Sequence, residues 1–233
     1  MSLARLNYIV LLGQIDCLMA NLSDLGFKKG VVVETILSSY NADGSSNAAP
    51  MGATMIDEKH VAVTFYNSSR TFANVKAEKS AVLNITTDIW VYYRTALKES
   101  NPEGRLPDEW FAVTDMMKAP RLRSAEATIE LKLIELTELG KDKTRAVFAA
   151  DKTDAVQGYP KAYSRAFGAT VEAIVHATHV KALNEVASQR KLMETLLLQI
   201  QMCRDVVCRV APGSDYEEVI DDLLKRVCDG GHA

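Results

Sequence analysis

The sequence predicts a mainly β chain with a helical C-terminal part (α+β): an antiparallel barrel followed by a three-helix tail. Two observations carry this. Between Gly30 and about Thr153, apolar residues alternate in short runs broken by turn residues. After Gly158-Tyr159-Pro160 the spacing becomes helical, with Tyr163, Phe167, Thr170, Ile174 and Ala177 in step. Short strands with few long crossovers favour a barrel over a doubly wound sheet. The expected division is an N-terminal helical or poorly ordered extension over 1–29, a barrel over 30–157 and a helical region over 158–233.

Val31, Val33, Thr35 and Leu37 alternate with Val32, Glu34, Ile36 and Ser38, a strand rich in β-branched residues. Asn41-Ala42-Asp43-Gly44 is a hairpin connection. Strands follow at Met51 to Ile56 and His60 to Tyr66. Ser68 or Ser69 caps a helix over Thr71 to Glu78, Ala81 to Thr86 returns as a strand, and Asp88 caps a short helix to about Leu97. Lys98 to Asp108 is polar, holds two prolines and a glycine, and reads as an exposed loop. Trp110 to Thr114 and Glu126 to Leu136 are strands; the second shifts apolar phase at Ile134 and Leu136, which predicts a bulge. Gly140-Lys141-Asp142 turns into a strand near Arg145 to Ala150. In the tail, Leu183 to Val207 carries Leu192, Leu196, Leu197 and Ile200. Ser214 with Glu217 has capping-box spacing for the last helix. Leu3 to Leu22 reads as a short amphipathic helix or an extension.

A chain of 233 residues can bury one core plus a helical appendage. Its 48% hydrophobic and 24% charged residues are those of a globular protein. A formal net charge of -3, with Lys and Arg dispersed, gives no reason to expect nucleic acid. No uninterrupted apolar run is long enough for a membrane span. Cys17, Cys203, Cys208 and Cys228 form no C-x-x-C pair, which favours free thiols in a reducing cytoplasm.

The candidate site lies between Glu34 and Thr86. Asn47, Ala48, Ala49, Pro50 and Met51, with Gly52, keep a surface low and flat, suited to a planar ligand or simply to a barrel corner. One strand later, Ser68, Ser69, Arg70 and Thr71 sit at a helix start, with Asn74 one turn on. Free N–H groups, a guanidinium and hydroxyls there suit a phosphate. Each half alone is weak; their order suggests a phosphorylated planar cofactor. No G-x-G-x-x-G or G-x-x-x-x-G-K signature occurs.

Asn47-Ala48-Ala49-Pro50-Met51-Gly52, then Ser69-Arg70-Thr71-Phe72-Ala73-Asn74 and Val82-Leu83-Asn84-Ile85, resemble the flavin reductase-like FMN-binding split barrel. More narrowly, with the helix from Tyr163 to Thr178, the chain is similar to an archaeal family of uncharacterised FMN-binding proteins. The resemblance covers roughly Val31 to Val180. It implies FMN as cofactor, held near the interface of a homodimer. It places the ring by Asn47 to Met51 and the phosphate by Arg70, Thr71 and Asn74, with Tyr66 and Asn67 lining the site. The family pattern has Arg where this chain has His179, so that arginine's role is not carried over.

The first functional expectation is a flavin-dependent oxidoreductase with an unidentified small-molecule substrate or electron donor. A non-catalytic flavin carrier or assembly factor, and haem or a deazaflavin in the same cleft, are the alternatives. No acid or base stands out, although His176 or Tyr66 would serve if either faced the ring. Glu172, His176 and His179 share a helix face, as zinc ligands can, but no H-E-x-x-H accompanies them; a hydrogen-bonded His176 is favoured over a metal. Phe167, Val171, Ile174 and Val175 offer more apolar surface than one barrel face covers, which points to a partner subunit.

Overall fold

Alternation drives the N-terminal half into strands. The computed structural model describes residues 17–156, 164–183 and 189–229. Strands β1 (Cys17–Met19), β2 (Val32–Tyr40), β3 (Ser46–Asp57) and β4 (His60–Tyr66) precede helix α1 (Arg70–Glu78). Strand β5 (Ser80–Ile85), helix α2 (Ile89–Ala96), the short strands β6 (Phe111–Ala112) and β7 (Arg121–Leu122), and the long β8 (Ala127–Leu139) and β9 (Lys143–Val156) follow. Helices α3 (Arg165–Leu183), α4 (Arg190–Val210) and α5 (Asp215–Asp229) form the expected tail. The order β9-β4-β3-β2-β5-β8 closes through β8–β9 pairing into an antiparallel six-stranded barrel, with β1 on β9. The register of β8 against β9 shifts twice, between Glu130 and Leu131 and between Leu133 and Glu135, the second where the apolar phase change predicts a bulge.

Two apolar cores share β2. Leu37, Val63, Phe65, Leu83, Ile129 and Phe148 fill the barrel, and Phe72 and Val75 of α1 join them. Ile36 and Ala48 face outward, into a second core with Tyr92, Ile174, Ile200 and Leu223 of the helices. Thr35 to Ser39 are consequently all buried, as a strand covered on both faces must be. The apolar side of α3 is covered within the chain: Val171 and Ile174 are buried in that core, and Phe167 meets Tyr92 edge to face at 5.7 Å. It therefore does not by itself require a partner subunit. Tyr93 donates its hydroxyl to the Asp222 carboxylate, pinning α5 to α2.

Several local expectations are corrected. From Cys17 the chain is strand and turn rather than helix. Asp24 accepts the Asn21 N–H at 2.9 Å and Gly26 takes φ 84°, so the turn residues break any helix there. Leu22 and Phe27 lie in the barrel core, ahead of the expected start at 30. The 98–108 loop is not simply exposed. It makes two short 3-10 turns, Lys98–Ser100 and Pro102–Gly104, with a third starting at Asp108, and the buried Asn101 donates to the Arg94 and Lys98 carbonyls at 2.9 and 3.0 Å. Leu192 is exposed, whereas Leu196, Ile200 and Val207 carry the buried side of α4. At α5 the expected capping box does not form: Ser214 donates to the Ala211 carbonyl and the Glu217 carboxylate accepts from the N–H of Gly213, one residue earlier, each at 2.6 Å. Gly158-Tyr159-Pro160, Tyr163 and the segment before Cys17 fall outside the described residues.

Phe148→Ala should destabilise the protein by about 3–5 kcal/mol, since its ring is fully buried in the barrel. Leu198→Ala, at an exposed position, should stay within about 0.5 kcal/mol. Urea unfolding of both variants checks the contrast.

Candidate functional site

Strand β3 pairs with β2 from Ser46 to Thr54 but with β4 only from Ala53 onward. Ala49 to Gly52 therefore run beside β2 alone. Pro50 suits this stretch because a missing N–H costs little at a free edge. β4 diverges toward Ser69, whose hydroxyl accepts the Phe72 N–H at 3.2 Å and caps α1. Across the gap stand the end of α2 and the Ile174–Thr178 turn of α3. The walls enclose a cleft of about 550 Å³, lined by Ala49, Pro50, Gly52, Ser69, Arg70, Thr71, Ile174 and Val175. A Cβ at Gly52 would stand 2.8 Å from Val32 Cγ1, so only glycine keeps this edge flat without moving Val32.

A second cavity of about 510 Å³ adjoins it, between the 41–46 turn and the 104–106 segment. The two share Arg70 and Lys98. Arg70 and Thr71 begin α1, where backbone N–H groups have no helical acceptor and the helix dipole favours an anion. Neither Arg70 nor Lys98 makes an ion pair among the described residues. Burial, and then the Arg70 charge, lower the Lys98 ammonium to about 8.

A largely buried amide network holds Lys98. Lys98 donates to Asn47 Oδ1. Asn47 Nδ2 donates to Ser39 Oγ at 3.3 Å and to Thr71 Oγ1 at 3.2 Å. Asn74 Nδ2 donates to Ser39 Oγ at 3.2 Å and Asn41 Oδ1 at 2.9 Å. On the other side of the cleft, surrounding protein and the Glu172 charge raise the Glu34 carboxyl above the ordinary range, although its side chain reaches solvent.

The structure thus gathers Asn47, Ala49, Pro50, Ser69, Arg70, Thr71 and Asn74 around the two cavities. Ala48 packs into the helix-side core and Met51 against the barrel core, on opposite faces of β3, and neither lines the cleft. Tyr66 lies on the outer sheet surface under Lys143, whose Nζ is 4.7 Å from the ring centroid. Asn67 bridges to the Lys141 carbonyl and Thr144 hydroxyl at 3.1 and 2.7 Å, and Ser68 is exposed. His176 Nε2 is 3.4 Å from the Glu172 carboxylate and His179 is exposed. Sequence reasoning missed Lys98, Arg105, Asn41 and Glu34. The first two sit in a polar segment with no periodicity, and Asn41 reads as turn chemistry.

Among the described residues no helix is long and apolar enough to cross a membrane. An FMN-bound protein from Methanosarcina mazei has a similar structure, with 24% identity, a TM-score of 0.70, and 88% of this chain and 99% of that one covered. The likeness establishes the fold, a split barrel with a helical tail. Nitrilotriacetate monooxygenase component B from Bacillus cereus overlaps at 15% identity and TM-score 0.47, covering 72% of this chain and 90% of that one. Flavoredoxin from Methanosarcina acetivorans overlaps at 15% identity and TM-score 0.44, covering 56% and 72%. A family model described as "Protein of unknown function (DUF447) N-terminal domain" matches residues 33–156, more than half of the 233 residues, and the chain belongs to that family.

Proposed function

We propose that this chain binds FMN in the cleft and serves as a flavin-dependent oxidoreductase of the flavin reductase-like type. The observation that carries the reading is the Arg70–Lys98 couple beside the α1 N-terminus, without an ion pair among the described residues, next to the flat free edge of β3. The M. mazei protein of the same fold is FMN-bound, which supports it. Arg70, Lys98, Ser69 and the first amides of α1 would hold the phosphate. Ala49, Pro50 and Gly52 on one side, with Ile174 and Val175 on the other, would hold the ring and exclude water. Bound there, FMN would supply hydride or electron transfer. Glu34, which keeps its carboxyl proton to higher pH than usual, is positioned at the cleft wall to hold a proton.

We further propose a homodimer in the cytoplasm. The outer face of β2, β3, β4 and β9, where Val32 and Tyr66 are exposed, meets the cleft at Gly52 and offers the partner surface. The free thiols of Cys203, Cys208 and Cys228 suit a reducing compartment. Light scattering at micromolar concentration should give twice the chain mass; a monomer would contradict the dimer.

Arg70→Ala should weaken FMN binding by roughly tenfold, through loss of one charge-assisted contact. Lys98 titrates near 8 in the free protein, and a neighbouring phosphate favours its charged form. Binding then takes up a proton above that pH. The FMN Kd should be flat between about pH 7 and 8 and rise above it by up to about tenfold per pH unit, a dependence that Lys98→Arg removes. Calorimetry across that range reads both effects. Glu34→Gln should lower steady-state turnover by roughly tenfold or more at unchanged FMN affinity. Bound FMN that neither NADH, NADPH nor reduced deazaflavin reduces would make the protein a carrier instead.

A further inference from the structure

A separate cavity of about 340 Å³ lies between the barrel and the segment that carries β7, and it shares no lining residue with the two cavities beside α1. Its barrel wall is the outer face of β8 and β9. Ile129 turns into the barrel core, so Thr128 and Glu130 stand on the other face, in register with Asp154 and Lys152 of β9. Its second wall is the 113–123 segment. Leu122 is buried in the helix-side core and its N–H donates to Asn84 Oδ1 at 2.7 Å. Alternation then sets Arg121 and Arg123 on the opposite face, and both line the cavity. Ser38 and Ser80 anchor the segment further, donating to the Pro120 and Lys118 carbonyls at 2.5 and 3.0 Å.

The charges lining this cavity are not matched to one another. Glu130 is only 4% exposed, and its Oε2 accepts the Met116 N–H at 3.1 Å. The lysine in register with it, Lys152, turns instead to Asp115 at 2.6 Å and Asp154 at 2.8 Å. Glu130 therefore has no cation partner among the described residues, and neither Arg121 nor Arg123 has a carboxylate partner among them. A carboxylate withdrawn from water without a cation is costly, and an entering ammonium offsets that cost. Two guanidiniums in the same cavity offer planar donors to an entering carboxylate. A simple anion would face Glu130, and a simple cation would face the two arginines. A small molecule carrying both charges matches both sets. Ala125, Ala127 and Val156 add apolar wall suited to an aliphatic side chain.

We infer that this cavity binds a small aliphatic zwitterion of the α-amino acid class, with its ammonium on Glu130 and its carboxylate on Arg121 and Arg123. The probes are L-leucine and its two half-analogues, 4-methylpentanoate without the ammonium and isopentylamine without the carboxylate, each titrated calorimetrically into the full-length protein. L-Leucine should bind about tenfold or more tightly than either half-analogue. Glu130→Gln, which keeps an acceptor for the Met116 N–H, should weaken L-leucine by about tenfold and leave 4-methylpentanoate unchanged or tighter. Replacing Arg121 and Arg123 together by Gln should weaken L-leucine and 4-methylpentanoate and spare isopentylamine. FMN affinity should stay the same in both variants, because the cavity and the cleft have separate linings. L-Leucine that gives no binding up to about 10 mM, or binds no tighter than either half-analogue, would overturn the inference. Equal losses of all three ligands in both variants would also overturn it, since the charges would then only hold the walls apart. Should a variant fail to fold, the three-ligand comparison on the native protein decides alone.

Discussion

Strand β3 has twelve residues and β4 has seven, and the mismatch opens the cleft. The two strands pair only over the last part of β3, so β4 must leave the sheet while β3 continues along β2. The barrel closes elsewhere, through β8 and β9, and the gap therefore costs the core little. Its consequences spread outward. The free edge tolerates Pro50, the departing chain starts α1 beside it, and α1 closes the barrel with Phe72 and Val75. Helix α3 then covers the gap from outside while packing on the second core.

Within that gap electrostatics replaces packing as the organising force. Arg70 and the half-buried Lys98 share the junction of the two cavities, and neither makes an ion pair among the described residues. Such a pair is costly in a free protein and becomes favourable when a dianion enters. The cost is contained by a network whose members are neutral. Asn47, Ser39, Thr71, Asn74 and Asn41 satisfy one another and hold Lys98 through the Asn47 carbonyl oxygen. Thr71 and Asn74 are thus members of that network as well as lining the cavities.

The barrel, its turns and the helical tail were legible because each rests on local signals: alternation in β2, the Asp43-Gly44 turn, the Ser69 and Asp88 caps, and the apolar phase shift in β8. The grouping of Ser69, Arg70, Thr71 and Asn74 at the start of α1 was legible for the same reason, being a cap plus an arginine. Of the small-residue run, Ala48 and Met51 pack into the two cores instead of lining the cleft, because a run of small residues does not reveal how far each position of the strand lies from the gap. Lys98 and Arg105 were illegible. A polar, proline-containing segment looks solvated, and only Asn101 gripping the end of α2 folds it back over the site. The cap at Ser214 is a similar case: spacing singles out Ser214 and Glu217, but their side chains bond the Ala211 carbonyl and the Gly213 N–H instead of each other's backbone.

The most direct test of the account is the ratio of FMN to riboflavin affinity, measured by calorimetry on ligand-free protein. The two ligands differ only by the phosphate that Arg70, Lys98 and the α1 amides are held to receive. The account predicts that FMN binds about a hundredfold or more tightly than riboflavin, and that the gap narrows sharply when Arg70 and Lys98 are both neutralised. Equal affinity for the two in the native protein would contradict it.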